Sequence, residues 1–169
     1  MYGITNTSKQ DLEFIYHLFD EAIAYQKRKK YDVWKGYDAD VLKRDMDNGL
    51  QYKIEFNNEI LFVFSISFTN PIVWRDMENG DALYIHLMVV NPNYKGQQLF
   101  SIVLKWAFQE SKKKHFKFIR LETWANNANM IAYYENFGFV IVDRYITPNC
   151  EDLPIPHRNL DTVLMQNKI

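Results

Sequence analysis

The stretch IHLMVVNPNYKGQQLF, Ile85 to Phe100, decides how this chain is read. An apolar run closes at Asn91-Pro92. A helical stripe of Leu99, Ile102, Val103, Trp106 and Ala107 opens just after it. The segment between therefore joins the end of a strand to the start of a helix. A helix start exposes unpaired backbone N–H groups and a partial positive charge, so it can seat a phosphate without a dedicated side chain. Gly96 lets the backbone come close to such a ligand, and Lys95 adds a point charge. A tight turn entering a helix explains the same residues, so the loop by itself leaves both readings open.

Upstream, Ser8 caps a helix, with Asp11 three residues on. Leu12, Ile15, Leu18, Phe19, Ala22 and Ile23 share its apolar face to about Lys30. Asp38 caps a shorter helix that stops at Asn48-Gly49. QYKIEF and EILFVFSISF form a hairpin about Asn57-Asn58, since an asparagine pair tolerates the positive φ of such a turn. Asn70-Pro71 ends the second strand, and a loop with Trp74, Asn79 and Gly80 follows. Downstream come the strand FKFIRLETW, the short helix NANMIAYYENF stopped by Gly138, and the strand FVIVDRYI. A loop punctuated by Pro148, Pro154 and Pro156 leads to the last strand, LDTVLMQ. The order β, α, α, β, β, β, α, β, α, β, β predicts a mixed α/β sheet with helices packed on it.

A chain of 169 residues fits one domain, 1–169. A net charge of −1 argues against a nucleic-acid partner. The basic runs Lys27 to Lys30 and Lys112 to Lys114 fall at helix ends, where cations complement the dipole. One cysteine, Cys150, excludes an internal disulfide and favours a reducing compartment; with no evident base beside it, a loop thiol outweighs a nucleophile. MYGITNTSKQDLEF has no basic start followed by an apolar run, so no signal peptide is expected. No apolar run is long enough to span a bilayer. The expectation is a cytoplasmic protein with no membrane partner. No His, Cys, Asp or Glu spacing suggests a metal site. Aromatic residues make up 16% of the chain, which suits a core of rings and a ring-lined pocket equally.

A second segment, LETWANNANMIAYYENFGF from Leu121 to Phe139, gives the first its meaning. It resembles a segment of the GNAT superfamily of N-acetyltransferases, with Asn127, Ile131, Tyr134, Glu135, Gly138 and Phe139 at matching positions. IHLMVVNPNYKGQQLF is similar to that family's strand and acetyl-CoA loop, whose usual form is V-x-P-x-Y-R/Q-G-x-G-x-G/A. The resemblance covers Asp81 to about Tyr145; the N-terminal helices match only in layout. Lys95 departs from the usual Arg or Gln, and Gln98 and Phe100 stand where glycine, or glycine or alanine, is preferred. Gln98 still supplies a backbone amide. The Phe100 ring must point away from the ligand.

The resemblance implies a mostly antiparallel sheet of about six or seven strands, splayed at the cofactor site and flanked by about four helices. It implies acetyl-CoA as cofactor and a primary amine as acceptor, small molecule or peptide, with a homodimer left open. Cofactor contacts are implied for the backbone of Met88, Val89 and Val90, for Lys95, Gly96, Gln97, Gln98, Leu99, Phe100 and Ser101 at the loop, and for Asn127 and Tyr134. Tyr134 matches the tyrosine that donates to the CoA sulfur, and a phenol is protonated at neutral pH. A packing tyrosine is the plainer alternative; its neighbour Tyr133 points elsewhere on the helix and reads as core. Glu122 resembles the glutamate base of some members, though an ion pair with Arg120 on the same strand face competes. His86 shares a face with Met88 by alternation and suits a base or a structural role. Asn127 suits a cap as well as a cofactor contact. Trp34, Tyr37 and Trp74 lie in segments that border the acceptor site in this family, and they would line it unless they pack the core. His157 either reaches that site or sits on a loop. A protein acetyltransferase and a non-catalytic CoA-binding domain remain the alternatives to a small-molecule enzyme.

Overall fold

The capping residues act as expected. In the computed structural model, which describes residues 2–29, 36–154 and 157–169, the Ser8 N–H and hydroxyl both donate to Asp11 Oδ2, at 2.7 and 3.0 Å. That turn feeds α1 (Leu12–Lys29), which buries Ile15, Leu18 and Phe19 and ends on exposed Lys27, Arg28 and Lys29. Asp38 Oδ1 accepts from the N–H groups of Asp40 and Val41 at the start of α2 (Ala39–Asp47), at 3.0 and 3.2 Å. The helix stops where Gly49 takes φ +67°.

The chain forms two compact units. The first comprises the residues up to Ile66 together with Leu87–Trp106. It holds β1 (Gly3–Asn6), α1, α2, β2 (Gln51–Phe56) and nearly all of β3 (Glu59–Ser67). It also takes the last residues of β4 (Ala82–Val90) and the first half of α4 (Leu99–Lys113). β1, β2 and β3 pair antiparallel, and the hairpin turns at Asn57 and Asn58, with φ 50° and 64°. Ile15, Leu18, Phe19, Leu42, Val63 and Val89 form the core of this unit, with Tyr37 and Leu87 packed at its edge. Trp106 of α4 packs on the rings of Tyr52 and Phe64, at 4.6 and 5.4 Å between centroids.

The second unit comprises Ser67–His86 and Ala107–Ile169. It holds α3 (Pro71–Trp74), the start of β4, the rest of α4, β5 (Phe118–Trp124), α5 (Ala128–Glu135), β6 (Val140–Ile146) and β7 (Asp161–Lys168). Val73, Trp74, Ala82, Tyr84, Leu153 and Leu164 form a core here. β7 pairs antiparallel with both β5 and β6. β4 runs parallel to β5, and their register covers only Ala82–Tyr84 against Phe118–Arg120. β5 stays paired with β7 through Trp124, whereas its register with β4 ends at Tyr84 and Arg120. This parting of β4 from β5 is the splay the resemblance implies.

The sheet order is β1-β2-β3-β4-β5-β7-β6, seven strands with one parallel pair, and the described residues include five helices. The fifth helix is α3, a single turn with Pro71 at its first position, where a missing N–H costs nothing. The Asn70-Pro71 pair that ends a strand also starts this helix. The region holding Trp74 is therefore not a loop. No helix among the described residues is long and apolar enough to cross a membrane.

Candidate active site

Asn91 fixes the loop after β4. Its N–H donates to Leu61 O and its Nδ2 to Ile60 O, both at 2.8 Å, and its Oδ1 accepts from Asn93 N–H at 3.1 Å. The loop is thereby tied to β3. Gly96 has φ +82°, and a Cβ built there would meet nothing within 4 Å, so the space above it is open. Gly96, Gln97 and Gln98 are exposed, and Lys95 and Gly96 form a turn just ahead of α4. Phe100 and Leu99 are only 2% and 3% exposed, so neither side chain stands over the loop. An exposed turn opening onto a helix start under open space, with the bulky side chains turned inward, fits the pyrophosphate of acetyl-CoA. Two expected contributors differ. The Ser101 N–H already donates to Gln98 O at 2.9 Å, because the first turn of α4 closes on it. The Lys95 ammonium lies 3.1 Å from the Tyr25 ring centroid, held on α1 by a cation–π contact.

Within β4, Leu87 takes φ +50°. A left-handed leucine inside a strand costs on the order of 1–3 kcal/mol and re-aims the backbone around it. Alternation presupposes extended residues, so the argument that placed His86 and Met88 on one face does not carry through Leu87. Val89 is buried, and Met88 and Val90 are partly buried.

The titratable residues gather in the second unit. Glu122, half-buried on β5, accepts from the Trp74 indole N–H through Oε2 at 3.5 Å. Burial pushes its carboxyl above the usual carboxylate range, against the opposing effects of His86 and the indole N–H. The Arg120 ion pair does not form. The Arg120 guanidinium donates instead to Met77 O at 2.8 Å, to Tyr84 Oη at 3.0 Å and to Gln166 Oε1 at 3.3 Å. Tyr134 is buried on α5, its ring 6.0 Å from that of Phe139. Burial raises its phenol, with Tyr133 and Glu122 adding to the effect. Asn127 caps α5, its Oδ1 accepting from Met130 N–H at 3.1 Å, so the helix start that aims Tyr134 is fixed.

His157, left open by the sequence, joins this group. Burial lowers its imidazole and His86 adds to that. Thr147 holds the segment: its Oγ1 donates to His157 O at 2.7 Å and accepts from Leu160 N–H at 2.8 Å. Arg158 Nε donates to Leu153 O at 2.7 Å. The proline punctuation predicted a loop but gave no sign of these ties.

Among the described residues, Trp74 and Tyr37 pack into the cores of their units. Trp74 is wholly buried in the core. Tyr37 stacks on Tyr16 at 5.8 Å and packs against Phe19 at 5.4 Å, on α1. Trp34 lies outside the described residues. Tyr133 is exposed rather than core and meets the rings of Tyr134 and Phe137 edge-on. α5 buries only Tyr134, so the adjacent position turns outward. The described residues hold no group of His, Cys, Asp and Glu arranged for a metal ion.

A model of the acetyltransferase (GNAT) family matches residues 12–139. An uncharacterized N-acetyltransferase of Methanocaldococcus jannaschii is 26% identical over 143 residues, 82% of this chain and 60% of that protein. The chain thus spans less than two thirds of that relative's length. An acetyltransferase of the GNAT family from Listeria monocytogenes superposes with a TM-score of 0.78 at 17% identity, covering 99% of this chain and 95% of the other. The ribosomal-protein-alanine N-acetyltransferase of Escherichia coli superposes with a TM-score of 0.70 at 20% identity, covering 100% and 94%. At these identities the two structures show the shared fold.

Proposed function

Because the chain belongs to the GNAT family of acetyltransferases, whose cofactor is acetyl-CoA, we propose that residues 1–169 act as one N-acetyltransferase domain that acetylates a primary amine by direct attack in a ternary complex. Glu122 carries this reading. It is a half-buried carboxyl whose proton affinity is raised, grouped with His86, Tyr134 and His157 in one unit. A carboxyl whose proton affinity is raised by burial accepts a proton from an ammonium more readily than an ordinary carboxylate does.

Acetyl-CoA supplies an acetyl thioester. The backbone of Gly96 to Leu99, at the start of α4, would hold its pyrophosphate. The backbone N–H groups of Met88 to Val90, beyond the strained Leu87, would hold the pantetheine arm, and one of them would polarise the thioester carbonyl. Glu122, assisted by His86, accepts the proton of the incoming ammonium. The Tyr134 hydroxyl, kept protonated by its burial, donates to the departing sulfur.

The acceptor we favour is a small-molecule amine. The burial of Trp74 and the packing of Tyr37 on α1 remove the ring-lined wall as an argument for it. The likeness to a ribosomal-protein-alanine N-acetyltransferase supports a second reading, an N-terminal amine of a protein. A panel of polyamines, amino acids and short peptides, followed by CoA release with acetyl-CoA present, distinguishes them. Thermal stabilisation by acetyl-CoA without release on any amine, unchanged by Tyr134→Phe, would leave a CoA-binding domain instead.

A further inference from the structure

Trp74 is held rigidly from several sides. The Arg120 guanidinium lies 4.6 Å from its ring centroid, and the Tyr84 ring meets it edge-on at 5.6 Å. Arg120 is itself fixed by Met77 O, Tyr84 Oη and Gln166, with Asp81 at 3.9 Å. α3 is fixed in turn: the Trp74 N–H donates to Asn70 O at 2.9 Å, and Tyr145 Oη donates to Val73 O at 2.7 Å. An indole has one polar group, and a buried one needs a partner. Here that partner is Glu122 Oε2, at 3.5 Å.

We propose that Trp74 is a positioning residue for acetyl transfer: its indole N–H holds Glu122 Oε2 and leaves Oε1 as the oxygen that takes the acceptor's proton. This rests on Glu122 being the base. In the step, a proton passes from the acceptor ammonium to Oε1. The freed nitrogen lone pair forms the bond to the acetyl carbon. The carbon–sulfur bond breaks, its electron pair would leave on sulfur, sulfur would take the Tyr134 proton, and the second proton shed by the new amide nitrogen would restore the Tyr134 phenol through solvent. Among the described residues, Glu122 accepts from Trp74 of α3 and is electrostatically coupled to His86 of β4, Tyr134 of α5 and Tyr145 of β6. Arg120, on the same strand, commits its donors elsewhere. Trp74 is thus the neutral donor that favours the ionised carboxylate, in opposition to burial.

The test uses the full chain. In Trp74→Phe the ring remains and the N–H is lost. The acid limb of kcat/KM should move to higher pH, so that activity falls at least about threefold more near pH 6 than near pH 9, with KM for acetyl-CoA unmoved. A loss uniform across pH, or none, overturns the proposal. A second measurement needs no tryptophan variant. The chain has 4 tryptophans, hence four indole signals in a proton–nitrogen correlation spectrum. One should titrate in the wild type and stop titrating in Glu122→Gln. If none does so while Glu122→Gln is inactive, the positioning role is wrong and the base stands. Full activity of Glu122→Gln removes the base, and the proposal with it.

Discussion

Replacing Glu122 by glutamine should move activity and stability in opposite directions. Glutamine keeps the volume and an acceptor oxygen for the Trp74 N–H, so the packing around β5 is preserved. It cannot take the acceptor's proton. Loss of a general base costs about 10²–10⁴-fold in rate, or about 2.7–5.5 kcal/mol of transition-state stabilisation. The stability change has the other sign. Burial raises the Glu122 carboxyl in the folded state. Its contribution is therefore fully present below the unfolded value, about 4.3, and is lost as pH rises through the higher folded value. At alkaline pH the wild type carries a poorly solvated charge that Glu122→Gln lacks. Each unit of elevation is worth about 1.4 kcal/mol, and in a chain of this size each kcal/mol moves Tm by about 2–4 °C. Thermal unfolding followed from roughly pH 4 to 9 should show the variant melting higher at the alkaline end, with the gap closing towards acid. CoA release measured in parallel should show the loss of activity. A kcat/KM within about threefold of wild type near pH 8, or a Tm gap that does not change with pH, would refute the reasoning.

Three further outcomes follow from the same geometry. Tyr134→Phe keeps the ring packed by Phe139 and should lower kcat about 100-fold, leaving KM for acetyl-CoA unchanged; an equal kcat in steady-state assays would remove Tyr134 as the acid. Gly96→Ala places a side chain at φ +82° over open space, so the fold should survive while the loop strains. A loss of about 1 kcal/mol in cofactor binding is about a fivefold weaker Kd; an unchanged Kd by calorimetry would count against the pyrophosphate seat. Phe100→Ala removes a ring that is 2% exposed and should cost about 3–5 kcal/mol in denaturant unfolding; a loss under about 1 kcal/mol would mean that the ring is not core.

What could be read from the sequence was local. Asp38 caps its helix and Asn57-Asn58 turn their hairpin because the signal and the structure lie within a few residues of each other. Phe100 stayed open between the core and the space over the cofactor, since its place at the helix start does not say which way the ring turns, and the structure buries it. Leu87 was invisible: leucine carries no preference for positive φ, so a strained residue inside an apolar run looks like ordinary strand. Trp74 and Glu122 show a second kind of limit, since they lie 48 residues apart in the chain and meet only when α3 folds onto β5. Alternation correctly gave Glu122 and Arg120 a common face, for both contact Trp74, but a face does not assign partners. The guanidinium went to a backbone carbonyl, a phenol and an amide. A guanidinium paired with the carboxylate would have lowered its proton affinity. The Arg120 Nε and Nη1 donate to Gln166, Met77 and Tyr84, and burial, opposed by His86 and the indole N–H, holds the Glu122 carboxyl above the usual carboxylate range.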